Sequence, residues 1–442
     1  MISGLVKFGR VEDAQKLFGE MPERNVISYT AMVDGWARRG EVEKARAVFD
    51  GMPKRNSISW VVMINGYVDN GMLEKAEWLF ERMPEKSVVA VTAMIMGYCM
   101  ARKVVSARRL FDGIRERDLV AWNAMMSGYA NNEQNEEVLK LHTEMLASGI
   151  RPDHATLIVV LTACSALALL QRGKQTHAIA TKTRLDCNVS LNNALITMYS
   201  KCGSIDDSDS LFQIIESCDV VSWNTIIAAW AQHGHYQKVL DLFHEMEASG
   251  FIPNGITFLS ILSACRHSGS VKKSINLFNL MASKYGIPPR SEHYACLVDI
   301  LCRAGKLEKA YKCIQEMPFE AEVAVWGAFL GGCQMYSNVE FAELAAEKLL
   351  QLDPHNSGAY IILSNIYAKA GMWEGVTRVR SLMKEQGVKK QPGYSWTEIA
   401  DKLHFFLKGD TSHPDIDKVY SEVERISFHM EKTLGEGSVL SQ

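Results

Sequence analysis

Apolar residues along this chain recur at helical spacing in pairs of short sets, and a turn residue separates the two sets of each pair. In residues 220 to 254 the two sets flank Gly234: Trp223, Ile226, Ile227 and Trp230, then Val239, Leu242, Phe243 and Met246. This spacing predicts two amphipathic helices joined as a hairpin. Because helices of this length are marginal alone, each apolar face must pack on its partner helix and on the next hairpin.

The same unit repeats along most of the 442 residues, and its fifteenth residue marks the turn. Glycine holds this position in eight copies: Gly9, Gly40, Gly71, Gly203, Gly234, Gly269, Gly305 and Gly371. Other residues hold it in four copies: Arg102, Glu133, Ala168 and Ser337. This register defines nine complete repeats, at 26 to 56, 57 to 87, 88 to 118, 119 to 153, 154 to 188, 189 to 219, 220 to 254, 255 to 290 and 291 to 322.

The repeat lengths vary between 31 and 36 residues. Tetratricopeptide repeats, which hold peptides in their groove, keep a constant period of about 34, so the varying period argues against them. The pattern predicts an all-α chain that forms a right-handed α-solenoid superhelix of helix-turn-helix repeats.

Composition modifies this prediction only slightly. The chain has 48 Lys and Arg against 51 Asp and Glu, a net charge of -3 and a pI of about 6.5, whereas most nucleic-acid binders have a basic surface. Of the ten cysteines, the nearest pair is Cys296 and Cys302, a spacing that fits neither a disulfide framework nor a zinc pair. We expect them to be core thiols in a reducing compartment.

One uncharged run, residues 155 to 170, resembles a membrane segment at first sight. It is shorter than the roughly 20 apolar residues of a membrane span. It includes Thr156, Thr162 and Ser165, and it coincides with the first helix of the 154 to 188 repeat. We predict a buried helix and no association with a membrane.

Motifs of catalysis are absent from the sequence. It has no Gly-rich phosphate loop, no nucleophile elbow, no His-Glu-x-x-His and no Cys-x-x-Cys. Two His-x-Glu triplets begin at His142 and His429, and we expect both histidines to be solvated helical residues. We therefore predict no enzyme activity, no cofactor and no metal site.

Several phrases carry a specific resemblance. Four repeats end in Met-Pro, at Met21, Met52, Met83 and Met317, and the repeats include SWNTII and AWNAMMSGYA. Later segments read VWGAFLGGC, LDPHNSGAYIILSNIYAKAG, QPGYSWTEI and GDTSHPDIDKVY. Together with repeat lengths of 31, 35 and 36 residues, they resemble plant pentatricopeptide repeat proteins of the subclass with alternating P, L and S repeats.

The resemblance implies a division of the chain. Residues 1 to 25 would be a partial repeat, 26 to 322 the tract of nine repeats, 323 to 391 the E motifs and 392 to 442 an E-plus segment. Related proteins end in a cytidine deaminase domain whose zinc is held by one His and two Cys. The last cysteine here is Cys333, so we expect no such site in residues 334 to 442. The resemblance implies a mitochondrial location, or alternatively a chloroplast one, with the targeting peptide missing from this chain.

In this family the fifth and last residues of each repeat, which we call a reading pair, face single-stranded RNA and recognise one base. The resemblance assigns six such pairs: Thr30 with Asn56, Val61 with Ser87, Thr92 with Asp118, Asn123 with Asp153, Asn193 with Asp219, and Asn224 with Asn254. It implies that Thr selects purines and Asn pyrimidines, while a last Asp favours guanine or uracil and a last Asn adenine or cytosine. The implied ligand is A, any, G, U, any, U, C, any, any.

Two readings remain open for these positions. The last residues are also ordinary helix N-caps, a role that needs no RNA. The second residues of six repeats, which sandwich bases in the family, are also suited to be hydrophobic staples: Ile27, Ile58, Val89, Val120, Val221 and Ile256.

Three repeats lack a matched polar pair: Ile158 with Asn188, Leu259 with Arg290, and Ala295 with Glu322. The resemblance implies spacer or protein-contact roles there, including contacts with multiple organellar RNA-editing factors. Gly327 and Ile361 hold the fifth position in the segment from 323 to 391. For recruitment of a partner, the resemblance points to Pro392, Gly393, Trp396, His413 and Pro414.

The resemblance thus implies a site-recognition factor for organellar C-to-U RNA editing that recruits a DYW-type cytidine deaminase in trans. Two alternatives are RNA binding for transcript stability, processing or splicing, and a scaffold for proteins.

Overall fold

The computed structural model describes residues 1–215, 217–268, 270–390, 393–399, 402–407 and 415–437. Within these residues, helices pair into successive hairpins, which confirms the predicted all-α architecture. The first helices of the hairpins are α1 (Ile2–Lys7), α3 (Val26–Arg38), α5 (Ser57–Asp69), α7 (Val88–Met100), α9 (Leu119–Asn131), α11 (His154–Ala166), α13 (Val189–Lys201), α15 (Val220–Gln232), α17 (Gly255–Ser268), α19 (Ser291–Arg303), α21 (Val323–Tyr336) and α23 (Ser357–Lys369).

The second helices are α2 (Val11–Glu20), α4 (Val42–Asp50), α6 (Leu73–Arg82), α8 (Val104–Asp112), α10 (Asn135–Ala147), α12 (Leu170–Lys182), α14 (Ile205–Gln213), α16 (Tyr236–Ala248), α18 (Val271–Ser283), α20 (Leu307–Gln315), α22 (Val339–Leu352) and α24 (Trp373–Glu385). Two strands, β1 (Tyr394–Ile399) and β2 (Lys402–Leu407), and a last helix, α25 (Ile416–Gly437), follow.

The second helix of each hairpin accounts for the varying repeat length. The first helix of most repeats has 13 residues, as in α3, α9 and α15. The second helix has 9 residues in a short repeat such as that of α4, and 13 in a long repeat such as that of α10. The four extra residues are thus about one helical turn. The row of first helices is therefore uniform, and variation falls on the second helices.

The turn residue adopts the left-handed conformation that its glycine pattern predicts. Gly40 has φ 80° and Gly234 has φ 76°. The copies without glycine do the same, as in Arg102 with φ 58° and Glu133 with φ 62°, although such a residue costs about 1 to 2 kcal/mol there. The predicted turn at Gly269 lies outside the described residues.

The chain divides into two compact units, Met1–Ala264 and Cys265–Gln442. In the first unit, a phenylalanine of one second helix packs edge-on against the tryptophan at the fourth position of the next repeat. Ring centroids are 5.2 Å apart for Phe49 and Trp60, and 5.0 Å apart for Phe111 and Trp122. The second unit repeats the contact with Phe278 and Tyr294, also at 5.0 Å. Of the tryptophans at this position, Trp122 and Trp223 are thus core residues, and Trp60 is half-buried at the edge of the core.

Glycine at the tenth position lets successive first helices approach closely. A Cβ atom added to Gly128 in α9 would lie 2.2 Å from Sγ of Cys99 in α7. In the second unit, a Cβ atom on Gly332 in α21 would lie 2.3 Å from Cβ of Cys302 in α19. No side chain fits at either distance without movement of its neighbour, so these glycines set the spacing of the first helices.

The expectation that His142 is solvated was wrong. His142 lies in α10 with 6% of its surface exposed, at the repeat position that Phe49 and Phe111 hold in other hairpins. Burial, with a smaller effect of the positive charge of Arg172, lowers the pKa of His142 to about 4. Its Nε2 atom has no hydrogen-bond partner among the described residues. His429 in α25 is exposed, as expected.

The uncharged run forms α11 and is a buried helix, as predicted. Its buried residues lie on several sides of the helix and include Leu157, Val160, Leu161 and Cys164. Among the described residues, no helix combines the length and the apolar character that crossing a bilayer requires.

The cysteines agree only in part with their predicted core location. Cys99, Cys164, Cys265, Cys302 and Cys333 are buried, whereas Cys187 is exposed.

The two-stranded antiparallel sheet was not predicted. Strand β1 pairs with β2 in a register that sets Tyr394 opposite Leu407 and Ile399 opposite Lys402. Only two residues separate the strands in the sequence, which is a typical length for a hairpin connection. The alternation in YSWTEI and the apolar KLHFFL were the signals for it.

Candidate nucleic-acid interface

A row of apolar side chains is exposed at the second position of the hairpins. Between 57% and 73% of the surface of each remains accessible in the residues Ile27, Ile58, Val89, Val120, Val221 and Ile256. A hydrophobic staple would bury this surface against its own helix. The exposure therefore disfavours a purely structural role and leaves an apolar surface that recurs in six of the nine repeats.

The reading pair of the 119 to 153 repeat is joined by a hydrogen bond across 30 residues of sequence. The side-chain amide of Asn123 donates through Nδ2 to Oδ1 of Asp153 at 3.1 Å. The same Oδ1 caps α11 by accepting from the backbone N–H of Thr156 at 2.8 Å. Burial alone would raise the pKa of Asp153, but the hydrogen bonds from Thr156 and Asn123 outweigh it and hold the pKa below its usual value. Asp153 is therefore an anion at neutral pH.

The 220 to 254 repeat has the same geometry with an amide in place of the carboxylate. Nδ2 of Asn224 donates to Oδ1 of Asn254 at 3.1 Å. Oδ1 of Asn254 also accepts from the backbone N–H groups of Ile256 and Thr257, at 3.0 and 3.1 Å. Asn224 is 6% exposed, so this pair is held in a rigid, largely desolvated position.

The third asparagine pair is Asn193 with Asp219. Burial alone would raise the pKa of Asp219, but hydrogen bonds from Ser222 and from the Asn193 amide hold it below its usual value. Asn193 is 9% exposed, and its Oδ1 has no hydrogen-bond partner among the described residues.

The remaining reading pairs are not joined in this way. The hydroxyl groups of Thr30 and Thr92 donate to carbonyl groups of their own helices, at Val26 and Val88, with distances of 2.7 and 2.9 Å. Each hydroxyl oxygen keeps its capacity to accept a hydrogen bond. Val61 is 8% exposed and has no polar atom in its side chain.

The structure confirms that the last residues of these repeats are helix N-caps. Asn56, Ser87, Asp118, Asp153 and Asp219 each accept a hydrogen bond from the backbone N–H three residues later. A cap of this kind uses one side-chain oxygen. The capping role therefore leaves the second polar atom of each Asp or Asn, and it does not compete with contact to a ligand.

Clefts lie beside the reading pairs. A cleft of about 270 Å³ is lined by Val221, Asn224, Asn254, Ile256 and Lys201. Another, of about 540 Å³, is lined by the equivalent residues Ile27, Thr30, Asn56 and Ile58, together with Lys7 and Arg38. A third includes Val120, Asn123 and Arg102. Each cleft thus combines apolar surface, polar reading atoms and at least one cation, although the chain as a whole is acidic.

The second unit has no polar reading residue at the corresponding positions. Ala295 stands there in α19, Gly327 in α21 and Ile361 in α23. Of the residues implied in partner recruitment, Gly393 is exposed, and Trp396 is half-buried in β1 opposite Phe405. Pro392, His413 and Pro414 lie outside the described residues.

These features define a protein of stacked helical hairpins in which most repeats of the first unit present a polar pair, an exposed apolar residue or both. The sequence profile of the PPR repeat matches residues 1–26, 27–57, 58–88, 89–119, 193–220, 256–285 and 292–320, and that of the PPR repeat family matches 117–166 and 218–267. The profile of the E motif matches residues 336–398. The chain therefore belongs to the pentatricopeptide repeat family.

Similar proteins are known from Arabidopsis thaliana. The chain is 44% identical over 291 residues to the chloroplastic pentatricopeptide repeat-containing protein At3g49170. The aligned region covers 66% of this chain and 34% of that protein. It is 43% identical over 299 residues to the mitochondrial pentatricopeptide repeat-containing protein At3g02330, and this alignment covers 67% of this chain and 33% of that protein. The chain spans between about a third and a half of the length of such relatives.

A solved structure is also similar. The crystal structure of the pentatricopeptide repeat protein PPR10 from maize has a TM-score of 0.45 and 17% sequence identity, and the alignment covers 87% of this chain and 68% of that chain.

Proposed function

We propose that this chain binds single-stranded RNA and recognises bases through its reading pairs. The observation that carries the proposal is that the two polar side-chain atoms of the last residue have different roles: one caps the next helix, and the other is left for a base. In Asp153 and Asn254 alike, Oδ1 caps the next helix and accepts from the preceding reading asparagine. The second polar atom is Oδ2 in Asp153 and Nδ2 in Asn254, so the same place offers an acceptor in one repeat and a donor in the other.

This difference matches the Watson–Crick edges of the bases. Uracil has an N–H donor at N3 and guanine has one at N1, and a carboxylate oxygen accepts from either. Cytosine and adenine have an acceptor nitrogen at the corresponding atom, which takes a hydrogen bond from an amide N–H. A last Asp therefore favours uracil or guanine, and a last Asn favours cytosine or adenine, as the family resemblance implies.

The apolar row and the cations supply the rest of a single-stranded RNA site. Splayed bases can lie between the exposed second residues of consecutive hairpins, such as Val221 and Ile256, which line one cleft with Asn224. Lys201 lines the same cleft and is placed to meet phosphate. Because such cations are few, we expect affinity to fall only moderately as salt rises.

The E motif supports a more specific proposal, in which the chain marks a cytidine for C-to-U editing and a DYW-type deaminase acts in trans. Gly393 and Trp396 would belong to the recruiting surface, together with Pro392, His413 and Pro414, and other organellar editing factors would join. One of the two relatives above is named chloroplastic and the other mitochondrial, which supports an organellar location in general.

The test of base recognition is a swap in one repeat. The double variant Asn224→Thr and Asn254→Asp should change the preferred base at one nucleotide from C to G, by a factor of about ten or more. Binding of the purified chain to RNAs that differ only at this nucleotide measures it. The variant Ile158→Val, in a repeat without a polar pair, is the matched control and should leave the preference unchanged. Equal binding of all four RNAs by both proteins would contradict the proposal.

Recruitment is tested separately. A chain truncated before Pro392 should bind the same RNA with unchanged preference but should fail to support editing of a transcript by the deaminase. Editing that persists in the truncated chain would contradict recruitment by this segment and would leave RNA recognition intact.

A further inference from the structure

The third residue of a hairpin contacts the reading asparagine of the hairpin before it. The hydroxyl of Thr257 lies 2.6 Å from Oδ1 of Asn224, and that of Thr156 lies 2.7 Å from Oδ1 of Asn123. Both threonines are fully buried. Neither belongs to a reading pair, so the hydroxyl acts on the reading amide from a position that no base reaches.

A closed ring of hydrogen bonds gives the amide of Asn224 one orientation. The backbone N–H of Asn254 donates to Oγ1 of Thr257 at 3.0 Å, so the hydroxyl hydrogen is free to point at Oδ1 of Asn224. Nδ2 of Asn224 then donates to Oδ1 of Asn254. A flipped amide would set its oxygen against Oδ1 of Asn254, which the backbone N–H groups of Ile256 and Thr257 fix as an acceptor. The ring in the 119 to 153 repeat is built in the same way around Asn123, where the Thr156 hydroxyl also lies 2.8 Å from Oδ1 of Asp153.

The ring is open where serine replaces threonine. Ser222 stands at the third position after Asn193 and is fully buried, but its hydroxyl donates to Oδ1 of Asp219 at 2.9 Å. Oδ1 of Asn193 is left without a partner among the described residues, in a side chain that is 9% exposed. The amide of Asn193 is thus held only at its nitrogen, through the hydrogen bond to Asp219, whereas Asn123 and Asn224 are held at both polar atoms. Threonine restricts its own rotation through its γ-methyl group, and serine does not.

We propose that the third residue is a positioning residue for base recognition: threonine at 156 and 257 fixes both polar atoms of the preceding reading asparagine, whereas serine at 222 leaves that asparagine held at its nitrogen only. The inference rests on the proposed RNA binding. A fixed amide presents its remaining N–H to the base, and therefore discriminates between bases more strongly. An amide held only at its nitrogen keeps more freedom of movement, and therefore discriminates less strongly between the two pyrimidines.

The experiment exchanges the two residue types and measures the ratio of dissociation constants for RNAs with U or C at the affected nucleotide. Thr257→Ser should lower the preference for C over U at the Asn224 nucleotide by about three- to tenfold, which is the effect of one hydrogen bond. Ser222→Thr should raise the preference for U over C at the Asn193 nucleotide by a similar factor.

Ser59→Thr is the matched control. The reading residue before it is Thr30, whose hydroxyl already donates to the carbonyl group of Val26 and which has no amide to orient. This variant should leave the preference for every base unchanged. Each variant adds or removes one buried methyl group, and in a chain of 442 residues a change of about 1 to 2 kcal/mol should shift the melting temperature by no more than about 2 °C.

Three results would overturn the inference, each in its own way. If the wild-type chain distinguishes bases and neither exchange alters the ratios, the third residue has no positioning role. If an exchange weakens binding to all bases equally and lowers the melting temperature, its role is only structural. If the wild-type chain distinguishes no bases at the Asn123 and Asn224 nucleotides, the proposed function is wrong and the inference falls with it.

Discussion

The two compact units are built from the same hairpin but differ in the residues at its fifth position. In the first unit, Asn123, Asn193 and Asn224 hold the fifth position, and two of them are almost fully buried. In the second unit, Ala295 and Ile361 hold it. The aromatic contact between hairpins, the left-handed turn and the close approach of first helices occur in both units. The scaffold is therefore independent of the residues that would read RNA, and it can be perturbed without touching them.

The largest expected effect concerns a core position that departs from the shared scaffold. Phenylalanine holds this position in both units, as in Phe111 and Phe278, but His142 holds it in α10. The pKa of His142 is about 4 in the folded chain, below its usual value of 6.5. The unfolded chain therefore binds a proton first as pH falls, and about 3 kcal/mol of stability present above pH 6.5 is lost progressively between pH 6.5 and pH 4.

His142→Phe should remove this part of the acid sensitivity, and His142→Leu serves as a second variant should the larger ring not fit. Denaturant unfolding at pH 7.5 and at pH 4.5 measures the difference for each protein. A wild-type chain and variants with the same loss of stability on acidification would show that His142 is not the titrating group.

The next effect concerns the close approach of first helices. Gly332→Ala should lower the free energy of unfolding by about 1 to 3 kcal/mol, because the new Cβ atom would overlap Cys302. Gly331→Ala is the matched control in the same helix, since nothing lies within 4 Å of its Cβ position. It should raise stability by about 0.5 to 1 kcal/mol through the helix preference of alanine. Equal effects of the two substitutions in thermal unfolding would contradict the packing argument.

The third effect separates reading from scaffold within the first unit. Asn123→Ala removes an amide that we propose to contact the base, and it should weaken binding of the preferred RNA by about tenfold, or about 1.4 kcal/mol. Ala295→Ser in the second unit is the control and should change affinity by less than about twofold. Filter binding or fluorescence anisotropy gives both values. A loss of affinity in the control as large as that of Asn123→Ala would show that the two units do not differ in the proposed way.

The repeat pattern was sufficient to predict the scaffold because every hairpin uses the same local chemistry. A cap, an apolar stripe and a left-handed turn are each encoded within a few neighbouring residues, as at Asp118 and Gly234. The fifth and last positions were taken from the family resemblance, and their role in reading RNA stays a prediction. The bond between Asn123 and Asp153 could not be foreseen, because it depends on the distance between two hairpins.

The errors have a similar origin. His142 was expected to be solvated as a polar residue of a second helix, whereas the repeat position, occupied by Phe111 one repeat earlier, decides its burial. The strand pairing of Tyr394 with Leu407 lies beyond the last hairpin, where the repeat register gives no information. Sequence repetition thus predicts what repeats, and it fails where individual copies depart from the majority, as at His142 and at His177, which holds the same position in the next repeat.

The smallest expected effect would convert a silent hairpin of the second unit into a reading one. Ala295→Asn with Glu322→Asp installs the pair that stands at Asn123 and Asp153, and it should create a preference for U at one nucleotide of about threefold. Val325 holds the third position of the next hairpin and is fully buried, so this double variant lacks the hydroxyl that would fix the new amide. Adding Val325→Thr, which is close to Val in shape, should raise the preference to about tenfold, because the ring of hydrogen bonds could then close. Val325→Thr alone should create none. Affinities for RNAs with U and C at this nucleotide measure the preference of each variant. If the preference is the same with and without Val325→Thr, the positioning role of the third residue of a hairpin is limited to the first unit.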